Sequence, residues 1–149
     1  MNFPLEITLT TVHLGSARRV VTLGFAGKDL AGDFLTKLKK SNKSGFNGLR
    51  VRFAVVSESK HFTNPHAFKD LGDGLYEFKK DGLRLYAFLE DDPKFSPTLI
   101  IAANGGTKNT KKEQISDISR ARKLKAQYEQ AKTCTEIELI PLPDENQDI

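Results

Sequence analysis

The sequence predicts one α+β domain in which a small antiparallel sheet packs against helices. Three observations lead there. Short runs rich in Ile, Leu, Val, Thr and aromatic residues recur between Gly- and Asp-containing breaks. Two other stretches carry apolar residues at helical spacing instead. Finally, 149 residues with 38% hydrophobic and 28% charged side chains suffice for one compact core but not for two large ones. That composition is not that of a disordered chain, and six Pro and eleven Gly are too few for a collagen-like or flexible linker protein.

The elements follow in order. Residues Leu5 to Val12 and Val20 to Phe25, separated by Gly15 and Ser16, read as an initial hairpin or two irregular strands. From Lys28 to Lys40, Leu30, Phe34 and Leu38 together with Ala31 and Leu35 form one helical face. Asp29 stands near its start and lysines near its end, where the helix dipole favours each. Ser41 to Gly48 reads as a loop, and Leu49 to Val56 has the β-branched and aromatic enrichment of a strand.

A short helix or turn is expected in the stretch beginning at His66, followed by strands at Leu75–Lys79 and Leu83–Leu89 joined by a tight turn at Asp81-Gly82. Alternation in the second strand places Arg84 and Tyr86 on one side. Thr98 to Ala103 is a further strand, after which Gly105 and Gly106 permit a close turn. Thr110 and Glu113 have capping-box spacing at the start of a final helix, whose stripe is Ile115, Ile118, Ala121, Leu124 and Tyr128. Thr135 to Ile140 could add an edge strand that Pro141 and Pro143 stop. The compact domain is thus expected over residues 1–132, with 133–149 an acidic extension.

Charge is unevenly distributed. Residues 101–132 carry eight Lys or Arg against three acids, whereas 133–149 carry five acids and no base. The net charge of +4 is compatible with a polyanionic partner. No apolar stretch is long enough to span a bilayer, and the start of the chain, with Pro4 and Glu6, does not read as a basic secretory leader; a cytoplasmic protein without a membrane partner is expected. Cys134, the only cysteine, excludes an internal disulfide and paired metal-binding cysteines. His13, His61 and His66 lack metal spacing, so no metal or cofactor is expected, and His66 is at most a secondary acid–base candidate. Gly72-Asp73-Gly74 lacks the Lys-Ser/Thr of a P-loop and reads as a turn.

Two blocks carry a likeness to a known family: Leu71 to Phe88, LGDGLYEFKKDGLRLYAF, and Lys108 to Ala121, KNTKKEQISDISRA. Gly74, Leu75, Tyr76, Glu77, Lys79, Arg84 and Tyr86 in the first, with Lys108, Thr110, Lys112, Asp117, Ile118 and Ala121 in the second, resemble the HigB-like, phage Gp49-like branch of the RelE/ParE toxin superfamily. Asn109, Glu113 and Gln114 depart from that pattern. The resemblance extends over much of Lys28 to Lys132 and implies a RelE/ParE-like fold, with more helix around Leu49 to Val56 than composition suggests.

The resemblance also implies a type II toxin: a ribosome-dependent messenger-RNA endonuclease (mRNA interferase) that uses the RNA 2′-hydroxyl as nucleophile without a metal, and that a cognate antitoxin neutralises. Independently of family, cleavage develops negative charge on phosphate, which fixed cations stabilise. Arg84 is the leading catalytic candidate, with Lys79, Tyr86 and Tyr128 beside it; Lys80, Lys108, Lys111, Lys112 and Arg122 are candidates for RNA contact. Arg84 would otherwise form a salt bridge to Glu77 or Glu90, both tyrosines equally suit packing, and the lysines equally suit a solvated face. Two alternatives stand beside the enzyme: a non-enzymatic antitoxin- or RNA-binding homologue, and a ParE-like gyrase inhibitor.

Overall fold

A computed structural model describes residues 6–58, 67–107 and 110–146. In chain order these form β1 (Ile7–Leu14), β2 (Arg18–Phe25), α1 (Leu30–Ser41), α2 (Lys43–Ser57), β3 (Phe68–Gly72), β4 (Leu75–Lys80), β5 (Leu83–Glu90), β6 (Thr98–Thr107), α3 (Lys111–Ala131) and β7 (Ile137–Ile140), followed by a single 3-10 turn over Pro143–Asn146. The strands make one sheet in the order β3-β4-β5-β6-β2-β1-β7.

The α+β class is as the sequence predicts, but the sheet is larger and mixed rather than small and antiparallel. β2 runs parallel to β6, and β7 parallel to β1. The reason is connectivity: the chain leaves β2 through two helices and the three strands β3, β4 and β5 before β6 arrives beside it, and leaves β6 through α3 before β7 arrives. The acidic extension therefore supplies an edge strand to the sheet, and Glu145 beyond it meets Arg19 at 3.0 Å.

The sheet has a core on each face. Leu35, Leu38, Leu49 and Phe53 of α1 and α2 cover Phe78, Leu83, Leu85 and Ile100. On the other side Ala121 and Tyr128 of α3 cover Leu75, Tyr86, Phe88 and Ile101. Each large apolar side chain fully removed from water contributes about 1.5–3 kcal/mol, so both faces are needed to hold a sheet of this width.

The principal correction concerns α2. Lys43 to Ser57 is a helix, neither the loop expected over Ser41–Gly48 nor the strand expected over Leu49–Val56. Asn42 caps it, accepting from the Gly45 amide at 2.9 Å. Its buried residues Gly45, Leu49, Phe53 and Val56 recur at helical spacing, and Phe53 packs edge-on against Phe78 with centroids 4.9 Å apart. Val51 and Val55, which gave the strand-like composition, point outward at 59% and 50% exposure. Burial of the periodic face outweighs the weak cost of β-branched residues in a helix.

Two smaller corrections follow. Phe68–Gly72 is a strand instead of a helix or turn, because Phe68 stacks on Tyr76 of β4 at 4.8 Å between ring centroids. Gly105 and Gly106 lie inside β6, paired with Leu85 and Arg84, instead of forming a turn. They serve close approach: a Cβ on Gly105 would strike the Phe34 ring of α1, and one on Gly106 would strike the Asp117 carboxylate of α3.

Elsewhere the expected pattern holds, except that Ile115, the first residue of the α3 stripe, faces solvent at 61% exposure. The β1–β2 and β4–β5 hairpins, α1 and the edge strand β7 lie where the sequence places them. Asp29 caps α1, accepting from the Gly32 amide at 2.8 Å, and Thr110 caps α3, accepting from the Glu113 amide at 3.1 Å. Asp73 and Gly74 take left-handed φ values of 53° and 78° in the β3–β4 turn, as the reading of Gly72-Asp73-Gly74 as a turn requires. Among the described residues no helix is long and apolar enough to cross a membrane.

Candidate functional site

Strand register builds the site. In the β4–β5 pair Lys79 stands opposite Arg84 and Glu77 opposite Tyr86, so one face carries all four. β6 completes it on the other side, with Asn104 opposite Tyr86 and Gly106 opposite Arg84. The first turns of α3 lie over these positions: Gln114 hydrogen-bonds Tyr86, and the Asn104 Nδ2 donates to the Asp117 carbonyl at 3.0 Å.

The result is a buried polar group in a largely apolar sheet. Glu77, Tyr86, Asn104 and Arg84 are 1%, 1%, 2% and 7% exposed. Arg84 Nε lies 3.3 Å from Glu77 Oε2, the ion pair named as its structural alternative, and its Nη1 donates to the carbonyls of Asp81 at 2.6 Å and Leu83 at 2.9 Å. The guanidinium is therefore held rigidly by its own hairpin. Glu77 Oε2, Arg84 Nε and Asn104 Oδ1 nevertheless form no well-aligned hydrogen bond among the described residues. His13 Nε2, Arg52 Nε and Ser57 Oγ share that state elsewhere; what marks this cluster is that three such atoms come from neighbouring strands on one face.

Burial, with the charges of Glu77 and Asp117, pushes the Tyr86 hydroxyl up to about 12; Arg84 and Gln114 pull the other way. At neutral pH the phenol keeps its proton, so it acts as a donor and not as a base. Burial likewise raises the Asp117 carboxyl above its usual range, with Arg120 opposing and Glu113 assisting.

The remaining candidates separate into three groups. Lys79 joins the cluster and is half-buried; Lys111 and Lys112 are exposed at the start of α3, and none of the three forms an ion pair among the described residues. Lysines in a first turn add to the positive end of the helix dipole, and Glu113 in the same turn offsets one of them. Lys80 points to the other face, its stem against Gly48 of α2 and its ammonium 3.4 Å from Asp81. Arg122 donates to the carbonyls of Leu71 and Gly72, both at 3.2 Å, and holds the β3–β4 turn. Lys108, His61 and His66 lie outside the described residues.

Tyr128 is not brought to Arg84. Its hydroxyl donates to Glu90 Oε2 at 2.6 Å, and Lys132 Nζ donates to the same oxygen at 2.9 Å. Glu90 ends β5 six residues beyond Arg84, about 20 Å away at the rise of a strand. Burial and the Glu90 contact push the Tyr128 hydroxyl far above its ordinary range. Among the described residues no three His, Cys, Asp or Glu side chains group as a metal site. Sequence reasoning did not reach Asn104 and Gln114. The available signal was Asn104 itself, an amide ending the apolar run TLIIAAN.

Comparison of the chain with protein-family models, with curated proteins and with solved structures returns no match.

Proposed function

We propose that this chain is a toxin of the RelE/ParE type that binds messenger RNA on the ribosome and cuts it without a metal, the RNA 2′-hydroxyl attacking the adjacent phosphate. One observation carries the reading. The two sequence blocks on which the resemblance rests, separated by about 20 residues of chain, meet at a single place: Tyr86, on the same sheet face as Lys79 and Arg84, lies against Gln114 in the first turns of α3. The helical α2 agrees with the helix that the resemblance implies there.

In this account Lys79, Lys111 and Lys112 attract the RNA backbone, and Arg84, fixed by Glu77, supplies a cation that need not reorganise as charge develops on the phosphate. In the same account the Tyr86 hydroxyl, protonated at neutral pH, donates to the RNA. Its companion partner is an antitoxin that covers the same basic surface. Purified protein incubated with translating ribosomes and an end-labelled message should produce protein-dependent cuts. Repeated absence of cuts beside an active RelE-type control rejects the activity.

Burial of Arg84 and Tyr86 favours a second reading, a non-enzymatic homologue that binds RNA or an antitoxin, because a phosphate reaches those atoms only if the α3 turn moves. That reading expects RNA affinity that weakens steeply with salt and no product.

A further inference from the structure

The face of the sheet opposite α3 is not fully covered. α1 packs chiefly on β6 and β2, while α2 packs on β4 and reaches β1. Thr10 and Val12 of β1 are left as the floor of an open cleft of about 480 Å3. Leu35 and Lys39 of α1 form one wall, and Phe46, Arg50 and Phe53 of α2 the other. That volume falls within the range of small-molecule sites, about 300–1,000 Å3.

Charge is laid out along the cleft. Lys39 on the α1 wall and Arg50 on the α2 wall are exposed, and neither meets a carboxylate among the described residues. The Arg50 guanidinium lies 6.0 Å from the Phe46 ring centroid, so cation and aromatic surface are contiguous. Asp29, which also lines the cleft, is engaged, accepting from Thr22 Oγ1 at 2.5 Å and from the Gly32 amide at 2.8 Å. Asp33 stays exposed beside it, six residues before Lys39 and about 9 Å away along the helix.

We propose that this cleft binds a small amphipathic anion: an aromatic or branched aliphatic body against Val12, Leu35, Phe46 and Phe53, and a single carboxylate, sulfonate or phosphate between Lys39 and Arg50. Apolar walls reward burial of the body, and two unpaired cations form charge-assisted hydrogen bonds to the head group. Asp33 repels a second negative group at the far end, so the site selects a ligand charged at one end only. None of these residues belongs to the Arg84 and Tyr86 cluster, which lies on the opposite face. The inference stands or falls separately from RNA cleavage.

The test is fluorescence titration of the full chain with anilinonaphthalene sulfonate, an aromatic body bearing one anionic group, beside the uncharged phenylnaphthylamine. One saturable site is expected for the sulfonate. The K39E/R50E double variant should weaken it by at least about tenfold, leave phenylnaphthylamine binding unchanged, and keep the thermal midpoint, since both positions are exposed. Asp33→Asn should tighten sulfonate binding by about twofold, the Coulomb effect expected in water at that distance. Non-saturable binding, more than one equivalent bound, an affinity indifferent to the double charge reversal, or an equal loss for both probes would overturn the proposal.

Discussion

The two ends of β5 hold similar chemistry in different states. Each sets a buried carboxylate and a buried tyrosine beside a cation: Glu77 and Tyr86 with the buried Arg84 at one end, Glu90 and Tyr128 with the half-buried Lys132 at the other. At the Glu90 end the parts satisfy one another. Glu90 accepts from the Tyr128 hydroxyl, from Lys132 and from the Asp92 amide, and the carboxyl sits below its ordinary range even though burial alone would raise it. At the Glu77 end the ion pair is longer, and atoms of Glu77, Arg84 and Asn104 lack aligned partners among the described residues. The satisfied end fastens the C-terminal turn of α3 to the sheet. The Glu77 end lies beside the first turns of α3, and under the proposed reading it is the end that meets an anion.

The largest effect that breaks this contrast is Arg84→Ala. Ribosome-dependent cutting should fall by more than tenfold. Chemical denaturation should also show a loss of about 3–5 kcal/mol, because Glu77 is left buried without its cation. The double variant E77L/R84M should recover most of that stability and none of the cutting, which separates a chemical role from a structural one. Equal recovery of both would assign Arg84 to the fold alone.

Tyr128→Phe comes next. Deleting a donor to a buried carboxylate should cost about 1.5–3 kcal/mol in the same denaturation experiment. Cutting should be unchanged, since Tyr128 lies at the other end of β5.

How much of this contrast is legible in the sequence depends on distance along the chain. The Asp81-Gly82 turn fixes the β4–β5 register, so alternation alone places Arg84 beside Tyr86, while the choice between Glu77 and Glu90 as its ion-pair partner is made only by the structure. Asn104, Gln114 and Asp117 join only through β6 and α3, and nothing in local composition aligns those elements with Tyr86. Gly106 was readable as a break but not as the gap that admits Asp117. For α2, three valines between 51 and 56 outvoted the spacing of Gly45, Leu49 and Phe53; counting identities concealed the period. The parallel pairs β2–β6 and β1–β7 bring together strands too far apart in sequence for any turn signal.

Acid titration sharpens the comparison further. Glu90 has a folded-state value below its ordinary 4.5, so its stabilisation is present above the unfolded value and lost as pH falls through the folded one. Asp29 and Asp117 have values raised chiefly by burial, so protonating them on acidification favours the folded state. Glu90→Gln should therefore flatten the decline in thermal midpoint between neutral and acid pH, and Asp29→Asn should steepen it. A Glu90→Gln profile parallel to the native one would remove Glu90 from the account.

The smallest effect concerns the exposed lysines. Lys112→Ala should leave stability within about 0.5 kcal/mol. RNA affinity should become less dependent on salt, the slope of log K against log salt falling by about 1. An unchanged slope would mean that this turn of α3 does not meet phosphate.

The most direct measurement places three proteins side by side on translating ribosomes with an end-labelled message: the native chain, Lys79→Ala and Tyr128→Phe. Lys79 is half-buried and without an ion pair among the described residues, so its loss disturbs the cluster's charge and little else. Native protein and Tyr128→Phe should cut alike, and Lys79→Ala should be at least about tenfold slower. Cutting that survives Lys79→Ala but is lost with Tyr128→Phe, or no native cutting beside an active control, would contradict the assignment of the Glu77 end of β5 as the functional one.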